Sequence, residues 1–106
     1  MISIETARAL KEANVLGRER FILQALRIDV VKTIQRLSLE ALLAEIEKRG
    51  YVWLMDVSAT KGKTINGYAF IIATDLSWVG GKEFRDDSPD EAVAQALLWI
   101  LKEGSA

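Results

Sequence analysis

The amino-acid sequence predicts an α+β domain: N-terminal helices, then a small antiparallel sheet of two or three strands, then a C-terminal helix packed on it. Three observations carry that expectation. Apolar residues recur every three or four positions as far as Ile46, the helical period, and every second position from Tyr51, the strand period. Gly, Asn and Pro punctuate the segments where the chain must turn or stop. At 106 residues the chain has the size of one domain able to bury its own core. Within it, residues 1–37 are expected to form a helical N-terminal extension and residues 38–102 a helix–sheet–helix core.

Taken in order, Ser3 caps a first helix through Thr6-Ala7-Arg8-Ala9-Leu10-Lys11, with Ile4, Ala7 and Leu10 on one side; Asn14 and Gly17 supply its stop. A second, longer helix is expected from Arg18 to Leu37, because Leu23, Leu26, Val30, Ile34 and Leu37 step by three or four. Phe21-Ile22-Leu23 and Ile28 with Val30-Val31 are β-prone stretches inside it. Ser38 opens the next helix, whose apolar stripe is Leu39, Leu42, Leu43 and Ile46. Lys48-Arg49 suit the negative end of its dipole, and Gly50 ends it.

Tyr51 to Ser58 reads as a strand with Tyr51, Trp53, Met55 and Val57 on one face, followed by a turn at Thr60-Lys61-Gly62-Lys63. The second strand is Gly67 to Thr74, with Tyr68, Phe70 and Ile72 alternating with Ala69, Ile71 and Ala73. Asp75 to Gly81 is a loop, and Lys82 to Arg85 a short third strand. The last helix opens on Ser88 as N-cap, Pro89 at the first helical position, Asp90 for the dipole and Glu91 to complete a capping box. Ala92 to Leu101 is almost wholly apolar, so this helix is expected to lie deep against the sheet.

Composition narrows the chemistry. The chain has neither cysteine nor histidine, which excludes disulfides, thiolate and imidazole metal sites, and every triad or dyad built on those residues. The start Met1-Ile2-Ser3-Ile4-Glu5 lacks the pattern of a secretion signal. The longest apolar runs, such as Ala96 to Leu101, fall far short of the roughly 18 residues of a membrane span. A cytoplasmic protein with no membrane association is therefore expected. Net charge is −1, unevenly spread: residues 1–37 hold seven Lys/Arg against four Asp/Glu, and residues 38–106 seven against eleven. Apolar residues make up 50% of a small chain, more than such a domain readily covers, and homo-oligomerisation is a natural remedy.

Several features invite a functional reading and are better explained structurally. Gly62-Lys63-Thr64 resembles the end of a phosphate-binding loop, yet the glycine that motif needs is replaced by Val57. Asp86, Asp87, Asp90 and Glu91 are of the type that holds a hard cation, but acidic residues also gather at helix N-termini for the dipole alone. The strand aromatics Tyr51, Trp53, Tyr68 and Phe70 lack interleaved cations and read as core. No catalytic, cofactor-binding or metal-ligating residue is assigned, and no cofactor is expected. The candidate interaction surface is Trp78, an aromatic in a glycine-flanked loop, together with the basic side of the long helix: Arg18, Arg20, Arg27, Lys32 and Arg36.

Ser-Leu-Glu-Ala-Leu-Leu at 38–43, the Gly-Tyr-led strand at 67–72 and Asp-Asp-Ser-Pro-Asp-Glu-Ala-Val-Ala-Gln-Ala-Leu at 86–97 resemble small phage and prophage proteins of the phage ABA sandwich group. Thr-Ala-Arg-Ala-Leu-Lys-Glu-Ala at 6–13 is similar to openings in those proteins. That resemblance implies a virus-encoded accessory protein and carries no catalytic residues. The order of residues 38–102 also resembles a double-stranded RNA-binding domain, although Ser88-Pro89-Asp90-Glu91-Ala92 stands where that family has phosphate-gripping lysines. The same tail is similar to HicB-type antitoxin domains, which act by binding a protein. The expectation is thus a non-enzymatic accessory protein with a protein partner; the alternative is a nucleic-acid-binding module using the basic segment 18–36.

Overall fold

The structure, a computed structural model, describes residues 1–58 and 67–104. These residues form α1 (Ile4–Glu12), α2 (Glu19–Ala25), α3 (Val30–Gln35), α4 (Leu39–Lys48), β1 (Val52–Ser58), β2 (Gly67–Ala73), β3 (Lys82–Asp86) and α5 (Pro89–Trp99), which runs on as a π-helical turn over Ile100–Gly104. The predicted α+β architecture holds, with three strands in the sheet. The turn expected at Thr60–Lys63, and with it Gly62-Lys63-Thr64, lies outside the described residues.

Side-chain caps set the starts of four helices. Ser3 Oγ accepts from the Thr6 N–H, Asp29 Oδ1 from Lys32, Ser38 Oγ from Ala41 and Ser88 Oγ from Glu91, at 3.1–3.5 Å. Each satisfies an N–H that the first helical turn leaves unpaired.

Helix ends share a second device. In α1, α2 and α4 the residue after the C-cap is left-handed: Asn14 at φ +64°, Arg27 at +59° and Gly50 at +88°. In each, the next N–H bonds back to the third residue before the cap: Val15 to Leu10 O, Ile28 to Leu23 O and Tyr51 to Ile46 O. This is the Schellman arrangement.

The middle instance corrects the sequence reading. Residues 18–37 are not one helix but two, α2 and α3, broken at Arg27 and restarted by the Asp29 cap. Arginine carries no signature of a left-handed stop, so the three-four periodicity ran straight through it. Leu26, expected on the apolar face, is consequently 65% exposed. Ile4 and Val57 also point outward, and Ile2 is buried where Ile4 was expected.

The strands pair antiparallel in the order β1-β2-β3, with Trp53 opposite Ile72, Met55 opposite Phe70, and Phe70 opposite Phe84. Period-two alternation puts these residues on one face, which packs on the helical layer. Trp53 stacks on Phe70 with ring centroids 5.8 Å apart, and its indole N–H donates to Glu47 Oε1 at 2.9 Å. α5 sits over this face with Ala92, Val93, Ala96 and Leu97 fully buried. The N-terminal segment supplies Ile2, Leu10 and Ile34 to the same core. Each fully buried aliphatic side chain contributes about 1.5–3 kcal/mol. No described helix is long and apolar enough to cross a membrane.

Candidate interaction surface

α2 is the one helix in the described chain that buries no side chain; Leu23, its most covered apolar residue, is half-buried against the core. Phe21, Ile22 and Leu26 are 64%, 60% and 65% exposed, and Ile28 just beyond is 44% exposed. At 100° per residue, Phe21, Ala25, Ile22 and Leu26 fall in succession around one side of the helix. A seven-residue helix is far below the length at which helices persist alone in water. α2 is held instead by its packing on α3 and by left-handed turns at both ends, Gly17 at φ +55° and Arg27.

The break at Arg27 redistributes the predicted basic residues. Arg18 stands at the N-cap of α2 and Arg20 in its first turn, Arg27 in the connecting turn, and Lys32 and Arg36 on α3 and its cap. All but the partly covered Arg20 are exposed. None of the five is ion-paired among the described residues. The Arg20 guanidinium lies 5.7 Å from the Phe21 ring centroid, and its Nε is buried with no acceptor. The basic set is therefore not a stripe on one helix but is divided between α2, the connecting turn and α3. The sequence pattern singles out those cations but not the apolar arc, because Leu26 falls in a core-facing stripe and Phe21-Ile22-Leu23 reads as a β-prone stretch. The signal that separates α2 was present in Asp29, a strong N-cap in mid-pattern.

Trp78 belongs to another region, the β2–β3 loop. It is half-buried and left-handed at φ +60°; its N–H donates to Asp75 O at 3.3 Å and its carbonyl accepts from Gly81 at 3.2 Å. Asp75 accepts from the Ser77 hydroxyl and from the Ser77 N–H, bonds that hold its carboxyl below the usual aspartate range. The loop is thus closed on itself, with Leu76 and Val79 exposed beside Trp78.

The acidic cluster resolves into separate structural tasks. Asp86 Oδ1 accepts from the Ser88 N–H at 3.0 Å, and Asp90 pairs with the Met1 amine at 3.2 Å. Glu91 does not close the predicted capping box. Its carboxylate turns into the α1–α5 junction, where it accepts from the Ser3 N–H at 2.8 Å, the Thr6 hydroxyl, and Gln95 Nε2 at 3.1 Å. Burial works to raise its pKa, but the bonds from Thr6, Ser3 and Gln95 outweigh it and hold the carboxyl below the ordinary glutamate value. Among the described residues, no group of three or more acidic side chains is placed to hold a metal ion.

A groove of about 400 Å³ runs between α1, β3 and α5, with Phe84, Leu98 and Trp99 in its wall. Thr6 and Gln95, which also line it, donate to Glu91. No family model matches this chain, and no curated protein or solved structure is measurably similar to it.

Proposed function

We propose that the protein is a non-enzymatic interaction module that binds another protein through α2. The carrying observation is that α2 buries no side chain while presenting Phe21, Ile22 and Leu26 each at 60% exposure or more. A cluster of exposed large apolar residues bordered by polar ones is the usual mark of a docking surface, and a short helix presenting such residues suits the helix-in-groove mode of recognition. The absence of histidine and cysteine from the sequence supports a non-enzymatic role. The resemblance of residues 38–97 to small phage proteins supports an accessory role of phage or prophage type in a bacterial cytoplasm.

The test is affinity capture from bacterial lysate, comparing the wild-type chain with the triple variant Phe21→Ser, Ile22→Ser, Leu26→Ser after nuclease treatment. The proposal expects a protein held by the wild type and absent from the variant. Equal recovery on both would refute it.

Nucleic-acid binding is the second reading, favoured by the five unpaired cations and by the α4-β1-β2-β3-α5 order. It requires loss of binding when nuclease is added and a steep fall in affinity with salt, and it leaves the apolar arc of α2 without a task.

A further inference from the structure

We infer that the partner of α2 is an acidic protein surface with an apolar cleft, and that the five unpaired cations of the segment 18–36 select it. The inference rests on the docking reading above and adds the partner's chemistry.

Charge complementarity carries it. Arg18, Arg20, Arg27, Lys32 and Arg36 lie within a 19-residue segment whose only acidic residues are Glu19 and Asp29. Asp29 is already occupied: its carboxylate accepts from the Lys32 N–H at 3.2 Å as the cap of α3. The five cations have no ion pair among the described residues, and all but the partly covered Arg20 are exposed, so an acidic surface can reach them. Guanidinium groups left unpaired beside exposed apolar side chains suit carboxylates, which they bind through two parallel N–H donors.

The same charges weigh against the other occupants. Two copies joined α2 to α2 would bring like charges together. Nucleic acid would take up the cations and leave Phe21, Ile22 and Leu26 uncovered. A conformational feature agrees with a functional role: Arg27 holds a left-handed backbone that side chains other than glycine and asparagine adopt at a cost, and there it stands at the end of the apolar arc.

Two full-length variants and one titration test this. The apolar variant is Phe21→Ser/Ile22→Ser/Leu26→Ser; the charge-reversed variant is Arg18→Glu/Arg27→Glu/Arg36→Glu. Both are checked for a wild-type urea midpoint, and each is used to capture protein from nuclease-treated bacterial lysate. The protein recovered by the wild type is then purified and titrated against it at low and high salt. The expected result is an acidic protein lost by both variants, with affinity falling about tenfold as salt rises. Loss by the apolar variant alone, with affinity indifferent to salt, would overturn the acidic partner and leave the docking reading standing. Retention by both variants, or the absence of any protein that distinguishes wild type from the apolar variant, would overturn both. Recovery of only further copies of this chain, or salt-dependent binding to phosphatidylserine vesicles with no protein recovered, would overturn the inference in favour of self-association or an anionic membrane surface.

Discussion

α1 and α2 are neighbours in the sequence and opposites in the structure. α1 sends Ala7 and Leu10 into the core at zero exposure, and its N-terminus is fastened to α5 through Ser3, Thr6 and Glu91. α2, seven residues further on, buries nothing, and its cations have no partners among the described residues. Both end in a Schellman turn, so the contrast does not come from how they are terminated. It comes from what their side chains touch. The fold needs the residues of α1, whereas those of α2 contribute little to it, and large exposed apolar side chains that folding does not use call for another explanation.

The largest effect that sharpens this contrast is a matched pair of truncations. Leu10→Ala is expected to destabilise the protein by about 2–5 kcal/mol, the range for a buried leucine that leaves a cavity. Leu26→Ala, the same chemistry on α2, is expected to stay within about 0.5 kcal/mol. Urea unfolding of the two variants reads this directly, and equal losses would break the contrast.

Glu91 comes next. Glu91→Gln keeps the shape but sets an amide N–H₂ against groups that donate, at an expected cost of about 1–3 kcal/mol at neutral pH. Because the folded-state pKa of Glu91 is lowered, the stability it contributes is present above its unfolded-state pKa and is lost as pH falls through the folded value. The variant is therefore expected to lose least in acid, narrowing the gap to wild type as pH drops below the ordinary glutamate range. Thermal melts across pH measure the gap; a constant difference would mean that the α1–α5 junction does not depend on the Glu91 charge.

The smallest effects concern the shared turns. Gly50→Ala is expected to destabilise by about 1 kcal/mol, since it puts a Cβ on a left-handed residue, and Arg27→Gly to stabilise by about 0.5–1 kcal/mol by removing one. Opposite signs in urea unfolding would confirm that Arg27 is retained at some cost to the fold.

That same arginine marks the limit of what the sequence discloses. The caps at Ser3, Ser38 and Ser88, the stop at Gly50, the strand alternation through Phe70 and Ile72 and the deep burial of α5 are all legible, because each is a local rule with a dedicated residue type. The break between α2 and α3 is not, because periodicity fits one helix or two equally well and Arg27 occupies a position that Gly normally announces. The capping box at Ser88 failed for a different reason. Glu91 fits the local pattern, but Ser3 and Thr6, almost ninety positions away in the chain, bind its carboxylate instead, and no local pattern contains a long-range contact. The surface was half legible in the same sense: charge is visible residue by residue in Arg18, Arg20, Arg27, Lys32 and Arg36, whereas the exposure of Phe21, Ile22 and Leu26 is decided by what fails to pack on them.

The central claim, that the apolar arc of α2 is uncovered and free to receive a partner, is tested most directly by native-state amide hydrogen exchange on the dilute protein. The amides of residues 19–25 are expected to exchange through local opening, at a much lower free energy than those of α1 and α5, whose exchange approaches the global unfolding limit. Protection of α2 equal to that of α5 in dilute solution would mean that α2 is as much a part of the cooperative fold as the core helices, and would contradict it.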